Sequence, residues 1–344
     1  MIVNEAVVPH HNVRTIPIHE LKELVLLNEA YLKEKPTWYI IDGKLQYFKI
    51  RDDLRLFAEQ FYSLFANQIL DLGALNYQIS TISIEDLGTK TPSIRGLLSD
   101  NFQRPNHNYY LISELMKAEI SNLISYGGYS LKNLLSFFKD SLTKENYNDN
   151  LLFLIKSFIG DGFTFQKDRN YHNICFETPA IEGINYKKRL QPNVLEKSPD
   201  AKNYFEKTKD GIILLKDFTP TVIYDSERIL GLDHKNVKDY TQNEVWMPLF
   251  PYTEDLLFES QEQAQRMSEE VFDGLDPNLM SLYMDYETIC KPFFERLAYD
   301  DEYRKILETF TSSNSQIFLN PQEIEYITMV LEDRRKTFAR ILKY

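Results

Sequence analysis

The chain changes its hydrophobic period once, near residue 100, and that change restricts the fold more than any other feature. Before it, Gln78-Ile79-Ser80-Thr81-Ile82-Ser83-Ile84 alternates with period two, the pattern of a strand that buries one face. Residues 93–99 read as a second strand, after a turn region holding Gly88 and Pro92. Residues 37–41 and 44–50 are β-rich runs around Asp42-Gly43, a dipeptide that tolerates positive φ, so they predict a hairpin. Residues 52–72 place Phe57, Phe61, Leu64, Phe65, Ile69 and Leu72 on one stripe, which predicts a helix packed by one face. Glu59 falls off that stripe, on the less apolar side. A further helix is expected over residues 18–35, beginning beside Pro17. The first hundred residues therefore read as a small antiparallel sheet carrying one main helix.

From Tyr109 onward the texture turns helical, most strongly at residues 130–138 and 151–159. The polar stretch Asp100-Asn101-Phe102-Gln103-Arg104-Pro105-Asn106 sits at the shift and reads as a hinge. The expected fold class is α+β and bilobal, with an N-lobe over residues 1–103 and a larger, mostly helical C-lobe over residues 104–344. Residues 178–211 look like an insertion, and residues 261–344 read as terminal helices forming either the base of the C-lobe or a partner surface. No internal period of solenoid length stands out.

Charge narrows the partners. The net charge of −12 disfavours indiscriminate binding to nucleic-acid backbones or anionic membranes. A small anionic ligand remains compatible where local cations or Mg²⁺ offset the field. Cys175 and Cys290 are too few for a disulfide framework or a Cys-rich zinc site. No basic segment followed by an apolar core opens the sequence, and no apolar run approaches the roughly 18 residues of a membrane span. A cytoplasmic protein is the expectation. Gly-x-Ser-x-Gly, His-Glu-x-x-His and Gly-x-Gly-x-x-Gly are all absent, which removes the simplest hydrolase, zincin and dinucleotide-binding readings.

One ordered set of residues carries chemistry. Asp168 and Asn173 lie five positions apart in Lys167-Asp168-Arg169-Asn170-Tyr171-His172-Asn173-Ile174, and Asp225 follows the apolar run Val222-Ile223-Tyr224. Phosphoryl transfer of the kinase type needs a carboxylate at the attacking hydroxyl, an amide oxygen five residues later on Mg²⁺, and a further carboxylate on the metal. Upstream it needs a strand lysine at the phosphates and a helix glutamate that holds it. Lys49, in the second hairpin strand, and Glu59, in the next helix, occur in that order.

These segments, together with Tyr47-Phe48-Lys49 and Phe57-Ala58-Glu59, resemble the HipA-like and CtkA-like branch of the protein-kinase superfamily, which is related to phosphatidylinositol kinases. The resemblance covers roughly residues 37–232. It implies a bilobal kinase fold that binds ATP and Mg²⁺, and a serine/threonine protein kinase able to autophosphorylate, acting on an unidentified protein substrate. Under it Lys49 contacts the α/β-phosphates, Glu59 orients Lys49, Asp168 is the catalytic base, and Asn173 and Asp225 hold metal. The chain departs from the pattern in three places. Asn170 stands where relatives generally have His, Glu227 stands where Gly commonly follows the metal-binding Asp, and no Gly-rich loop precedes Lys49.

Plainer readings stand beside these. Lys49 also fits a solvent-facing strand position, and Glu59 a solvated helix face. His172 fits packing or hydrogen bonding, Cys175 fits the core behind the loop, and Asp161, between two glycines, fits a turn or a third acid of the cleft. His10 and His11 lack the partner spacing of a metal site. Two other functions fit the same fold: a catalytically silent pseudokinase that binds nucleotide or protein, and an enzyme transferring a nucleotidyl group or phosphorylating a lipid or small molecule.

Overall fold

The computed structural model describes residues 1–14, 16–17, 20, 38–84, 93–111, 131–166, 174–181, 193, 201–222, 229–232, 285–312 and 315–342. The helix expected over residues 18–35 lies outside them, apart from Glu20.

The N-terminal part contains β1 (Ile2–Val3), β2 (His10–Val13), β3 (Trp38–Ile41), β4 (Lys44–Ile50), α1 (Arg55–Gln68), β5 (Gln78–Ile84) and β6 (Ile94–Asp100). Five of these strands form one sheet in the order β2-β5-β6-β4-β3. It is antiparallel except at one edge, where β2 runs parallel to β5. The hairpin closes as its turn chemistry requires: Asp42 and Gly43 have φ of 51° and 75°, both in the left-handed region. Alternation then sorts β4 onto two faces. Phe48 joins Val13, Tyr39, Ile41, Ile82 and Leu98 in one cluster, while Tyr47 packs with Trp38 on the other side.

After residue 106 come β7 (His107–Leu111), α2 (Leu131–Ser141), α3 (Lys144–Thr164), β8 (Cys175–Pro179), α4 (Ala201–Tyr204), β9 (Phe205–Lys207), β10 (Ile213–Leu215) and β11 (Thr219–Pro220). The chain continues with α5 (Glu287–Tyr299), α6 (Glu302–Glu308), β12 (Ile317–Phe318) and α7 (Pro321–Ile341). This is the α+β arrangement expected, a sheet with one main helix followed by a mostly helical remainder.

Four local expectations are corrected. Tyr109 opens no helix; it lies within β7, which pairs with β8 in a three-stranded sheet completed by β11. The helix ending in residues 151–159 runs on through Gly160-Asp161-Gly162 to Thr164, so Asp161 is a helical residue and not a turn residue. Gly160 lets the Leu70 side chain pack close against the helix, since a Cβ there would displace the Leu70 methyl. The ends of the stretch 178–211 are built into the protein, with Thr178 in β8 and both Ala201 and Phe205 in the core.

The fourth correction concerns α1. It is buried around most of its circumference, with Leu56, Phe57, Ala58, Glu59, Phe61, Tyr62, Ser63, Phe65 and Ala66 all inaccessible. The sheet covers one side, and partners from distant sequence cover the others. Phe163 of α3 stacks on Phe65 at 5.4 Å, and Phe310 meets Phe57 edge-on at 4.9 Å. A one-faced stripe is what local sequence shows; a helix enclosed by long-range contacts is what the chain makes of it. Among the described residues, no helix is long and apolar enough to cross a membrane.

Candidate active site

Lys49 stands near the end of β4, which is flanked on both sides by β3 and β6, and its register partner is Leu97 of β6. It projects from the same face as Tyr47, the face toward α1. Glu59 sits in the second turn of α1 and forms an ion pair and hydrogen bond with the Lys49 ammonium. The side chains are 8% and 1% exposed. Neither is therefore a solvent-facing residue. Glu59 leaves the apolar stripe because it points at a buried cation, not because it points at water.

A buried ion pair is a poor source of stability, because the cost of removing both charges from water rivals their attraction. Such a pair aims the lysine: its stem is fixed by the strand and its head by the helix.

Asp168, Asn170, His172, Asn173, Asp225 and Glu227 lie outside the described residues. The ends of the two stretches that contain them are described, and they lie side by side. At one end Leu230 N–H donates to Thr164 O at 2.7 Å; at the other, Thr221 N–H donates to Cys175 O at 2.9 Å and its hydroxyl donates to the same oxygen at 3.1 Å. Thr164 thus lies beside Leu230, and Cys175 beside Thr221.

Both roots are firmly held. Phe165 ends α3 in the left-handed region, φ 54° and ψ 51°, an uncommon conformation for a bulky side chain, and it is 1% exposed. Arg334 of α7, fully buried, donates through Nε and Nη2 to Gly162 O and lies over the Phe165 ring at 5.6 Å. A cation at these last-turn carbonyls complements the helix dipole. Cys175 and Val222, at the opposite roots, pack into the cluster of Trp38, Tyr47, Leu75 and Tyr109. That cluster joins the roots to the face of β4 from which Lys49 projects.

Residues 104–109 form a polar junction with β8. Arg104 pairs with Glu177 of β8, and its backbone N–H donates to the Tyr109 hydroxyl. Burial, followed by the neighbouring Glu177 carboxylate, pushes the Tyr109 phenol well above its ordinary range. Asp161, the third candidate acid, accepts a hydrogen bond from Tyr62 of α1 at 2.5 Å and is fully buried, so it ties α1 to α3. Cys175 is buried at the start of β8.

Sequence reasoning missed Arg334 and Phe310. Arg334 had a signal: it occupies the buried stripe Ile327, Val330, Leu331, Phe338 of α7, where a cation requires an internal acceptor. Phe310 had none, because its partners lie some 250 positions upstream. Among the described residues, no group of three His, Cys, Asp or Glu side chains could hold a metal ion.

No protein-family model matches the chain, and no curated protein matches it. Among solved structures, the chain is similar to the Helicobacter pylori proinflammatory kinase CtkA, at 11% identity over 90% of this chain and 95% of that one, with a TM-score of 0.47. It is also similar to the Shewanella oneidensis MR-1 toxin–antitoxin HipA, solved with HipB and operator DNA, at 11% identity over 96% of this chain and 72% of that one, with a TM-score of 0.45.

Proposed function

We propose that the protein is a HipA-like, ATP- and Mg²⁺-dependent serine/threonine protein kinase that also phosphorylates itself. The observation that supports this most is the buried Lys49–Glu59 pair on the sheet face shared with the roots of the two acid-bearing stretches. A lysine fixed between strand and helix suits the phosphates of a nucleotide. Bound Mg²⁺ would neutralise the charge of the transferring phosphoryl group, with Asn173 and Asp225 as its protein ligands. Lys49 donates to the phosphates and Glu59 keeps it aimed. Asp168 accepts the proton of the attacking Ser or Thr hydroxyl. Residues 1–103 and 104–344 form the two lobes, hinged at 100–106. The enzyme is cytoplasmic, with a protein as acceptor.

A specific observation favours a second reading, the silent pseudokinase. The β3–β4 connection is a two-residue turn at Asp42-Gly43, too short to fold over a triphosphate as a Gly-rich loop does. One experiment separates the two: incubation of the purified protein with labelled ATP and Mg²⁺, with any phosphate mapped by mass spectrometry. The kinase reading predicts phosphate on Ser or Thr, lost in Asp168→Ala. A stabilising shift in melting temperature with ATP and Mg²⁺, but no transferred phosphate, identifies the pseudokinase.

A further inference from the structure

We propose that Phe310 is a positioning residue: it wedges behind α1 and keeps Glu59 seated on Lys49. The use made of that pair rests on the kinase reading, whereas the wedge itself stands on geometry. An α-helix turns about 100° per residue, so Phe57 and Phe61 differ by about 40° and share a face, while Glu59 lies about 200° from Phe57 and points the opposite way. Phe310 packs on that rear face, with its ring centroid 4.9 Å from Phe57 and 6.5 Å from Phe61. Lys49 is in front of the helix and Phe310 is behind it.

The wedge is anchored independently of α1. Phe310 N–H donates to Leu307 O at 3.0 Å, and Phe310 O accepts from Leu319 N–H at 2.9 Å. Nearby, the Gln316 carboxamide accepts from Ile79 N–H at 2.9 Å and donates to Ile79 O at 3.1 Å, which straps the segment to β5. The far end of α1 is held separately. Arg296 of α5 donates to Ile69 O at 2.5 Å and Gln68 O at 3.0 Å, carbonyls without an intrahelical partner at a helix end. Among the described residues, the Glu59 end has no such grip on its backbone carbonyls; it is held through side chains, by Gln60 donating to Tyr77 O at 3.0 Å and by Phe310 packed behind Phe57.

There is room for the Glu59 end to move. A cavity of about 420 Å³ lies beside the wedge, lined in part by Gln60, Leu64, Tyr77, Phe310 and Gln316. Gln60 already donates to Tyr77 O at 3.0 Å, and Gln316 is engaged by Ile79, so the amides of this cavity are committed to the fold. Removing the Phe310 ring adds its volume to that space. The helix then relaxes backward and draws Glu59 away from Lys49.

The test reads Lys49 directly. Wild type, Phe310→Ala and Phe310→Leu are treated with an amine-acetylating reagent, and acetylation is followed by mass spectrometry at Lys49 and at Lys156, a largely buried lysine of α3 that donates to Asp71 O at 3.1 Å. The expected result is Lys49 acetylation faster by roughly tenfold in Phe310→Ala, a smaller rise in Phe310→Leu, and Lys156 unchanged. In phosphoryl transfer, kcat falls by about the same factor while KM for ATP stays within about twofold. Unchanged Lys49 acetylation, or equal rises at both lysines, overturns the wedge. If Phe310→Ala does not fold, Phe310→Leu decides by the same comparison. A wild type that transfers no phosphate refutes the kinase reading, and the acetylation still decides the wedge.

Discussion

Replacing Lys49 by Met takes the ionic partner from a carboxylate that is 1% exposed, and breaking a buried pair in this way costs about 3–5 kcal/mol. Replacing both members by apolar residues removes the charge problem altogether. Lys49→Met alone is therefore expected to shift the urea midpoint strongly downward, and Lys49→Met with Glu59→Leu to recover most of that loss without recovering phosphoryl transfer. A double variant as unstable as the single one contradicts the view that the pair is retained for chemistry. Cys290 gives a second prediction at this scale. Burial pushes its thiol up from the ordinary value of 9.0 to about 12. The neutral thiol is favoured by folding, so its contribution is full below pH 9 and is lost as the pH rises toward 12. Native protein at pH 8 is expected to resist alkylation at Cys290, and stability measured by denaturant is expected to fall across that alkaline window, less so in Cys290→Ala.

Elements differ in how much of themselves they write into local sequence. The hairpin was legible because Asp42-Gly43 fixes its turn and therefore its register. Strand β5 was legible to the residue, because period two over seven positions leaves no other element. The stripe of α1 revealed a helix but not its enclosure, since Phe163, Arg296 and Phe310 come from far along the chain. β7 was read as helical because His107–Leu111 has no alternation of its own; its strand form comes from pairing with β8, whose Cys175–Pro179 lies over 60 positions away. The order Lys49, Glu59, Asp168, Asn173, Asp225 could be read from sequence, and the Lys49–Glu59 contact could be expected from the phosphoryl-transfer template, which needs a helix glutamate to hold the strand lysine. Gly96 of β6 tests how tightly the sheet holds the site. A Cβ there would meet the Lys49 carbonyl and the Phe48 ring below ordinary contact distance. Gly96→Ala is expected to cost about 1–3 kcal/mol and to displace β4, lowering phosphoryl transfer more than a surface substitution of equal stability cost.

Across the whole molecule, the terminal helices act as scaffold for the site. α5 grips the end of α1 through Arg296, α7 grips the end of α3 through Arg334, and β12 pairs with β1 at the opposite end of the chain. One hydrophobic core accordingly contains residues of α1, α3, α5, α6 and α7 together with Ile79 of β5 and Leu97 of β6. A hydrogen bond from Arg296 holds the Glu302 carboxyl below its ordinary range, and this pairing sets the guanidinium against the α1 carbonyls. Residues separated by most of the sequence thus meet in one core.

The proposed kinase activity depends on five side chains gathering around a single nucleotide. An ATP analogue whose terminal acyl phosphate acylates a lysine lying against it tests this most directly, with the modified residue found by mass spectrometry. The predicted result is acylation at Lys49 that excess ATP and Mg²⁺ suppress and that Asp225→Ala greatly weakens. Labelling spread over surface lysines, or Lys49 labelling indifferent to both ATP and Asp225, would contradict it.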